Sequence, residues 1–560
     1  MNAFTRKTLI FIAVMVMVGF GGWFGRKVYQ KATEHRLVAE ASQYLRKQDL
    51  RNASLCLQRA LQINPVNVEA NQLTADMLEE AGSPAALNWR IRAAQIQTNN
   101  VEYRFAWALT ALKMNDLPSA VQALSGLDKK ARSTAEFHKL AGALAWNLHD
   151  AKDAETEYSE ALRSEPTNQA ITLNLATVRL VSTNPVVVDQ ARLSLEQIPA
   201  NSPLYLTALR DLMTDALAHK SFKRVLSYSQ KIVDDPNATY GDKLAHLQIL
   251  RLANASGFDS WLAALKKEAG YSADHAYALG HWMQLEESPA QALRWLQSLP
   301  ANMQTNLPVP LAITDCQIAM KDWEALRLTV EKQDWGDFNY YRLALESLAN
   351  RNEGRNIDAE NAWQRAVLLS EHRLDQLARL DQLTASWRWT QERTEVLQQI
   401  VSTFPQATWA GEQLVEVFYA SGQTRALADL LNKLYAADPS NVHVKNNLAT
   451  ILLLLRSNLD KADRLASESY NSSPDNPFYA CTYAYSLLLQ SRPGEAAKVV
   501  SSLKIDYLKN PSIAAYYGIV EAEAGNTQLA RAPLKLAESA RLLPEETELV
   551  HQAEARLRNI

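Results

Sequence analysis

Small and apolar residues recur along most of this chain at the spacing of paired helices, and the pattern changes character only at the two ends. Between Leu37 and Leu543 the recurrence has a period of about 34 residues. Its clearest copy is AGALAWNLHDAKDAETEYSEALRSEP, from Ala141 to Pro166. There Gly142 is followed twelve positions later by Ala154, four further on by Tyr158, three further by Ala161 and five further by Pro166. Another copy, ASQYLRKQDLRNASLCLQRALQINP, keeps these intervals with Ala41, Ala53, Leu57, Ala60 and Pro65. Such spacing predicts two antiparallel helices per unit. They approach closely only where the crossing side chains are small, so Gly142 and Ala154 are expected to face each other. The proline cannot continue an α-helix and forces the next turn.

These intervals resemble the tetratricopeptide repeat, a helix-turn-helix unit with small residues at the helix crossing and a proline closing the second helix. The resemblance implies an all-α fold, a right-handed α-solenoid of about 13 to 14 units. The phasing continues through Ala108/Ala120, Ala278/Ala290, Ala359/Trp363/Ala366, Leu397 with Pro405, Leu431 with Pro439, Ala484/Ala496 and Gly518/Ala530/Leu534/Ala537. Repeats near 200–340 are the most diverged. Pro185 is expected to interrupt a turn, Asn350 to Asn356 to form a polar loop, and the two-proline stretch Ala301 to Pro310 to hinge two sub-arrays, 37–300 and 311–543. Residues 545–558 are amphipathic and charged, as a terminal capping helix should be.

The other end differs. From Thr8 to Gly25 eighteen residues run without a charge, behind a short basic tail (1–7) and ahead of Arg26 and Lys27. That length suits a transmembrane helix contacting a lipid bilayer, followed by a juxtamembrane linker over 26–36. A cleaved signal peptide is the competing reading, but its apolar region is usually shorter and ends in a small-x-small site, whereas this one ends Gly-Trp-Phe-Gly-Arg-Lys. Orientation stays open between two arguments. Lysine and arginine counts favour a cytoplasmic array. The signal-anchor layout favours a bacterial inner membrane with the array on the periplasmic side, and this is the expectation carried forward.

Composition narrows the function classes. With 58 basic and 61 acidic residues the formal net charge is −3, so no broad positive field draws a nucleic-acid backbone, and nucleic acid is not an expected partner. Cys56, Cys316 and Cys481 are far apart, form no CxxC pair and read as small buried hydrophobes. No GxxxxGK[ST] loop, HExxH pair or GxSxG elbow occurs. No cofactor, metal or catalytic residue is expected, and the chain reads as non-enzymatic.

The resemblance also implies a binding surface. In tetratricopeptide arrays the residue four positions after the small one in the first helix usually points into the concave groove. Here those places include Trp146 after Gly142, Trp282 after Ala278 and Tyr419 after Val415. Large aromatics there can anchor a peptide or helix, or can seal the contact with the next helix. Chaperone-tail receptors of the family clamp a carboxylate with Lys and Asn on successive first helices. The nearest approach is Lys445, Asn446 and Asn447, but the next first helix offers Phe478, Tyr479, Ala480 and Cys481, so that clamp is not supported and the asparagines read as local packing. The expected function is a membrane-anchored scaffold binding other proteins or peptides, assembling or stabilising an envelope complex. Two alternatives stand beside it: a chaperone-like receptor for client peptides, and an accessory partner in polysaccharide or cell-wall export.

Overall fold

The structure is a computed structural model, and it describes residues 26–558. The basic tail 1–7 and the expected span 8–25 lie outside the described residues. Among the described residues every regular element is helical, and no helix is long and apolar enough to cross a membrane. The chain divides into two compact units at Ala269/Gly270. Ala301 to Pro310 lies within the second unit and carries the short helix Ala301–Gln304 and a cis Leu307–Pro308 bond.

The repeat is visible in the backbone independently of side-chain motifs. A left-handed residue recurs at Gln48, Gly82, Asn115 and His149, then at Lys220 and Asn254, all in the first unit. In the second unit it recurs at Lys321, Gly354, Arg388, Gly422, Arg456, Ser491 and Gly525. Each ends the first helix of a hairpin. At His149 (φ 63°) the next amide, Asp150 N, reaches back to the Ala145 carbonyl at 2.9 Å, satisfying a helix-terminal acceptor. Asp150 then caps the second helix by accepting from Asp153 N. The turn therefore needs one left-handed residue and one capping side chain, which is why its sequence varies so widely.

Seven residues before that turn stands the small residue of the crossing, and the side chain nearest to it lies further along than the spacing suggested. A Cβ added to Gly142 would meet the Tyr158 ring at 3.0 Å; on Gly280 it would meet Leu296 at 2.9 Å, and on Gly518 Leu534 at 2.6 Å. The small residue thus faces the position sixteen residues on, because the large side chain of the second helix lies across the first. Ala154 is fully buried beside this contact. Where a serine takes the small position, Ser347 Oγ donates to the Ala359 carbonyl at 2.7 Å, so the backbone twelve residues on is also at the crossing.

Three further expectations change. Pro185 does not interrupt a turn: it opens the helix Pro185–Glu196 behind the Asn184 cap, where its missing N–H costs no hydrogen bond. Asn350 to Asn356 is not a loop, because the helix Asn339–Asn352 continues to a tight turn at Gly354 and the next begins at Asn356. The segment 26–36 is not a separate linker: helix runs over 26–46, its Glu34 carboxylate accepting from Asn64 Nδ2 at 2.7 Å and Asn67 Nδ2 at 2.5 Å.

Candidate functional site

The second unit holds a cavity of about 600 Å³ lined by successive first helices. These are Thr408–Ala420, Val442–Leu454, Pro477–Leu489 and Pro511–Glu523. Leu427 and Leu431 of the second helix Thr424–Ala437 add to the wall, and Arg541 and Glu546, just before and just inside the final helix Pro544–Arg558, complete it.

The C-terminal cap was expected simply to cover the last repeat. Its distal turns do so, with Val550, Ala553 and Leu557 packed in the cluster of Ile519, Ala530 and Leu534. Its beginning does something else. Glu546, only 5% exposed, accepts from Tyr516 Oη at 2.7 Å, from Tyr419 Oη at 2.8 Å and from Leu543 N at 2.8 Å. Tyr419 also reaches the Arg541 carbonyl at 3.2 Å, and Thr424 Oγ1 donates to Glu545 Oε2 at 2.5 Å. Gly422, with its positive φ, is close against Pro544: an added Cβ would meet the proline ring at 3.3 Å. Burial, followed by the nearby Glu546 charge, pushes both the Tyr419 and Tyr516 phenols well above the ordinary tyrosine range, so both hydroxyls remain donors.

Other polar groups on the wall are satisfied by one another. Thr450 and Thr482 hydroxyls lie 2.8 Å apart, and the Tyr479 hydroxyl is 2.9 Å from His443 Nδ1. Lys445 is engaged outward with Glu468 at 2.9 Å. Asn446 is the exception. It is buried at 4% exposure, lines the cavity, and its Oδ1 has no hydrogen-bond partner. Its backbone carbonyl accepts locally from Thr450 Oγ1, while the buried amide oxygen without a donor costs roughly 1–3 kcal/mol. Its neighbour Asn447 is exposed on the same cavity wall.

The three aromatics singled out from sequence have separate fates. Tyr419 lines the cavity and is fixed by its bonds to Glu546 and Arg541. Trp146 lies in the first unit, partly buried beside Ala145, Tyr158, Leu175 and Val178, a position consistent with sealing its own hairpins. Trp282 is half-buried in the second unit, two residues past Gly280. The contact of Gly280 with Leu296 shows that the small position there is Gly280 rather than Ala278, which places Gln284 four residues on, and Gln284 Nε2 donates to the Asp315 carbonyl of the next first helix. Of the cysteines, Cys316 and Cys481 are buried as expected, but Cys56 is partly exposed; all three are free. Glu546, Tyr516 and Arg541 had no counterpart in the sequence reading, because nothing in the repeat interval connects residues about 120 positions apart.

No family model and no curated protein matches the chain. Solved structures similar to it include that of PilF from Pseudomonas aeruginosa, at 15% identity over 42% of this chain and 99% of that one, with a TM-score of 0.30. A chain of the APC/C hetero-tetramer Cut9–Hcn1 is similar at 15% identity over 81% of this chain and 96% of that one, TM-score 0.28. A chain of Naa15/Naa10 bound to HypK-THB is similar at 13% identity over 94% and 78%, TM-score 0.24. At these scores the likenesses add nothing to the repeat. Its tetratricopeptide-type character rests on the chain's own intervals, on the left-handed turn residues and on the small-against-large crossings.

Proposed function

We propose that this chain is a non-enzymatic scaffold that holds a segment of a partner protein in the second-unit cavity and thereby assembles or stabilises an envelope complex. The observation that carries the reading is the cavity of about 600 Å³, a volume in the range typical of ligand sites, whose wall combines the exposed amide of Asn447 with the half-exposed ring of Phe478. The uncharged stretch 8–25 supports attachment to a membrane, and the signal-anchor layout supports an array on the exported side of a bacterial inner membrane.

A photo-crosslinking residue in place of Asn447 tests the holding role. It should capture one defined protein, and Phe478→Ala in the same folded background should weaken that capture at least several-fold; capture insensitive to Phe478 would exclude the cavity as the holding site. Protease treatment of spheroplasts tests the placement, because digestion of the array is expected once the outer layer is opened. Protection under those conditions would put it in the cytoplasm.

A further inference from the structure

In the first unit, the helix that opens the first hairpin is longer than its hairpin needs. In the next three hairpins the first helix starts fourteen positions before its left-handed residue: Val68 before Gly82, Val101 before Asn115, Ala135 before His149. The same count back from Gln48 reaches Glu34, which bonds Asn64 and Asn67 in the joint between the first two hairpins. Helix nevertheless starts at Arg26, eight positions earlier. Those eight residues are two turns, about 12 Å, standing beyond the edge of the unit that carries the joints between hairpins. In sequence they follow directly on the uncharged stretch 8–25. Arg26, Lys27 and Lys31 are exposed on them, as are Val28 and Tyr29 at 55% and 71%.

The same edge carries an insertion. The joints 64–67, 97–100 and 165–168 are four residues long, whereas 126–134 has nine and holds the short helix Lys129–Arg132. This insertion is pinned to the hairpins: Leu127 and Ala131 are buried, Asp128 accepts from Ala131 N, and Arg132 donates to the Leu127 and Ser125 carbonyls at 3.0 and 2.6 Å. Lys129 and Lys130 are left exposed on its outside, with no carboxylate in contact among the described residues. The acidic groups nearby are committed. Asp128 caps the short helix, Glu136 pairs with Lys139, and Glu69 and Glu102 lie in the first turns of their helices, where the helix dipole favours them. Further along the edge the charge reverses, with Glu165 in one joint and Asp234 and Asp235 in another.

We propose that this edge of the first four hairpins is a membrane-docking surface on which Lys129 and Lys130, together with Lys31 of the projecting turns, bind the headgroups of anionic phospholipids. The inference rests on the membrane attachment proposed above and is independent of the cavity. Attachment through 8–25 turns this edge toward the lipid, because helix runs without a break from Arg26 into the first hairpin. The projection of about 12 Å is little more than one Debye length, about 8–10 Å, so extended lysine side chains at the insertion bring their charges into the surface field. Val28 and Tyr29 then lie at headgroup level, where tyrosine is enriched. A lipid surface is the occupant that fits the spread of the charges: it reaches basic groups on several hairpins at once, which a single small anion does not.

The test uses the full chain with Cys56→Ser, its two buried cysteines left in place. A fluorescent donor is attached to Ser133→Cys in the insertion or, in a second preparation, to Leu148→Cys at the far end of the helix that follows it. Each is reconstituted in vesicles of phosphatidylcholine alone or mixed in equal parts with phosphatidylglycerol, both containing an acceptor-labelled lipid. Donor lifetimes give the docked-to-free ratio. The Ser133 position should dock on the mixed vesicles and be released by sodium chloride, while the Leu148 position stays remote from both. Lys129→Gln with Lys130→Gln should lower the ratio about 25-fold, at about fivefold per lysine at an anionic surface, and Lys129→Arg with Lys130→Arg should restore it. A chain that floats with neither vesicle overturns the membrane attachment, and the docking with it. A chain that floats but gives equal transfer at the two positions, or docks equally on phosphatidylcholine alone, overturns the docking and leaves the attachment standing. So does a ratio unchanged by the glutamine pair. Release by inorganic phosphate beyond that by sodium chloride of equal ionic strength would assign the lysines to a free anion and overturn it too.

Discussion

The first unit and the C-terminal half of the second use the same hairpin but different kinds of long-range tie. In the first unit the polar ties stay within a hairpin or join neighbours. Arg90 meets Asp76 and Glu79 inside one hairpin; Arg192 to Asp215, Arg210 to Asp242, Lys113 to Glu79 and Thr177 to Asp211 join adjoining ones, these last two spanning 34 positions. In the second unit Tyr419 and Glu546 are 127 positions apart. A repeat array is ordinarily quasi-one-dimensional, each unit stabilised by its neighbours alone. Here one part of the array obeys that rule and another part breaks it by meeting its own end. The difference teaches that a local repeat can create a non-local site without any local change in the repeat itself.

The largest test of this comparison is at the apolar crossing shared by both units. Leu534→Ala removes the side chain that fills the space beside Gly518 and should cost about 2–5 kcal/mol. Segment-resolved hydrogen exchange should show the loss extending to Thr408–Ala420, because the final helix is bonded to that hairpin through Tyr419 and Thr424. A loss confined to residues after Pro511 would show that this tie carries no cooperativity. The matching change in the first unit, Gly142→Val, drives a side chain into the Tyr158 ring and should cost about 1–3 kcal/mol. Its protection loss should stay with the adjoining hairpins, and spreading along the whole unit would contradict nearest-neighbour behaviour.

A third, similar-sized effect separates the units by their polar ties. Tyr516→Phe leaves the buried Glu546 carboxylate with fewer donors and should cost about 1–3 kcal/mol, read from the urea midpoint of the second unit's transition. An unchanged midpoint would mean that water takes the place of the Tyr516 hydroxyl.

The smallest effect is the response to pH, which should have opposite sign in the two regions. In the first unit the Arg210 hydrogen bond, against opposing burial, holds Asp242 at about 2, below the ordinary carboxylate value near 4. That contribution is present above about pH 4 and is lost as pH falls toward 2. Solvent screening of the half-exposed arginine limits it to about 1 kcal/mol. In the second unit the raised phenols of Tyr419 and Tyr516 favour the folded state below the ordinary tyrosine pKa of about 10, and this contribution is lost as pH rises beyond it. Separate unfolding transitions followed at pH 2–6 and pH 9–12 check both signs; Arg210→Met should flatten the acid limb, and Tyr419→Phe the alkaline one.

The repeat was legible because its requirements are local. Gly142, Tyr158 and Pro166 stand at fixed intervals, and a reader of intervals finds the helices. The crossing was read only in part, because interval alone does not say how far a tyrosine lies across a helix: the Tyr158 ring is nearest to Gly142, with Ala154 buried beside that contact. The candidate groove was only partly legible. Tyr419 was found by counting four residues from a small position, and Trp282 was counted from the wrong alanine because Ala278 and Gly280 are both small. Asn446 was noticed but read as packing, since whether an amide oxygen has a donor depends on neighbours from other hairpins.

By itself the sequence determined the helix pairs, their turns and the apolar crossings, because hydrogen bonding, capping and side-chain size act over a few turns of helix. Tertiary structure alone decided that the final helix meets a hairpin 127 positions earlier and contributes Glu546 to the cavity wall. The physical reason is accumulation. Each repeat adds a small rotation to the next, and only their sum brings Glu546 to Tyr419.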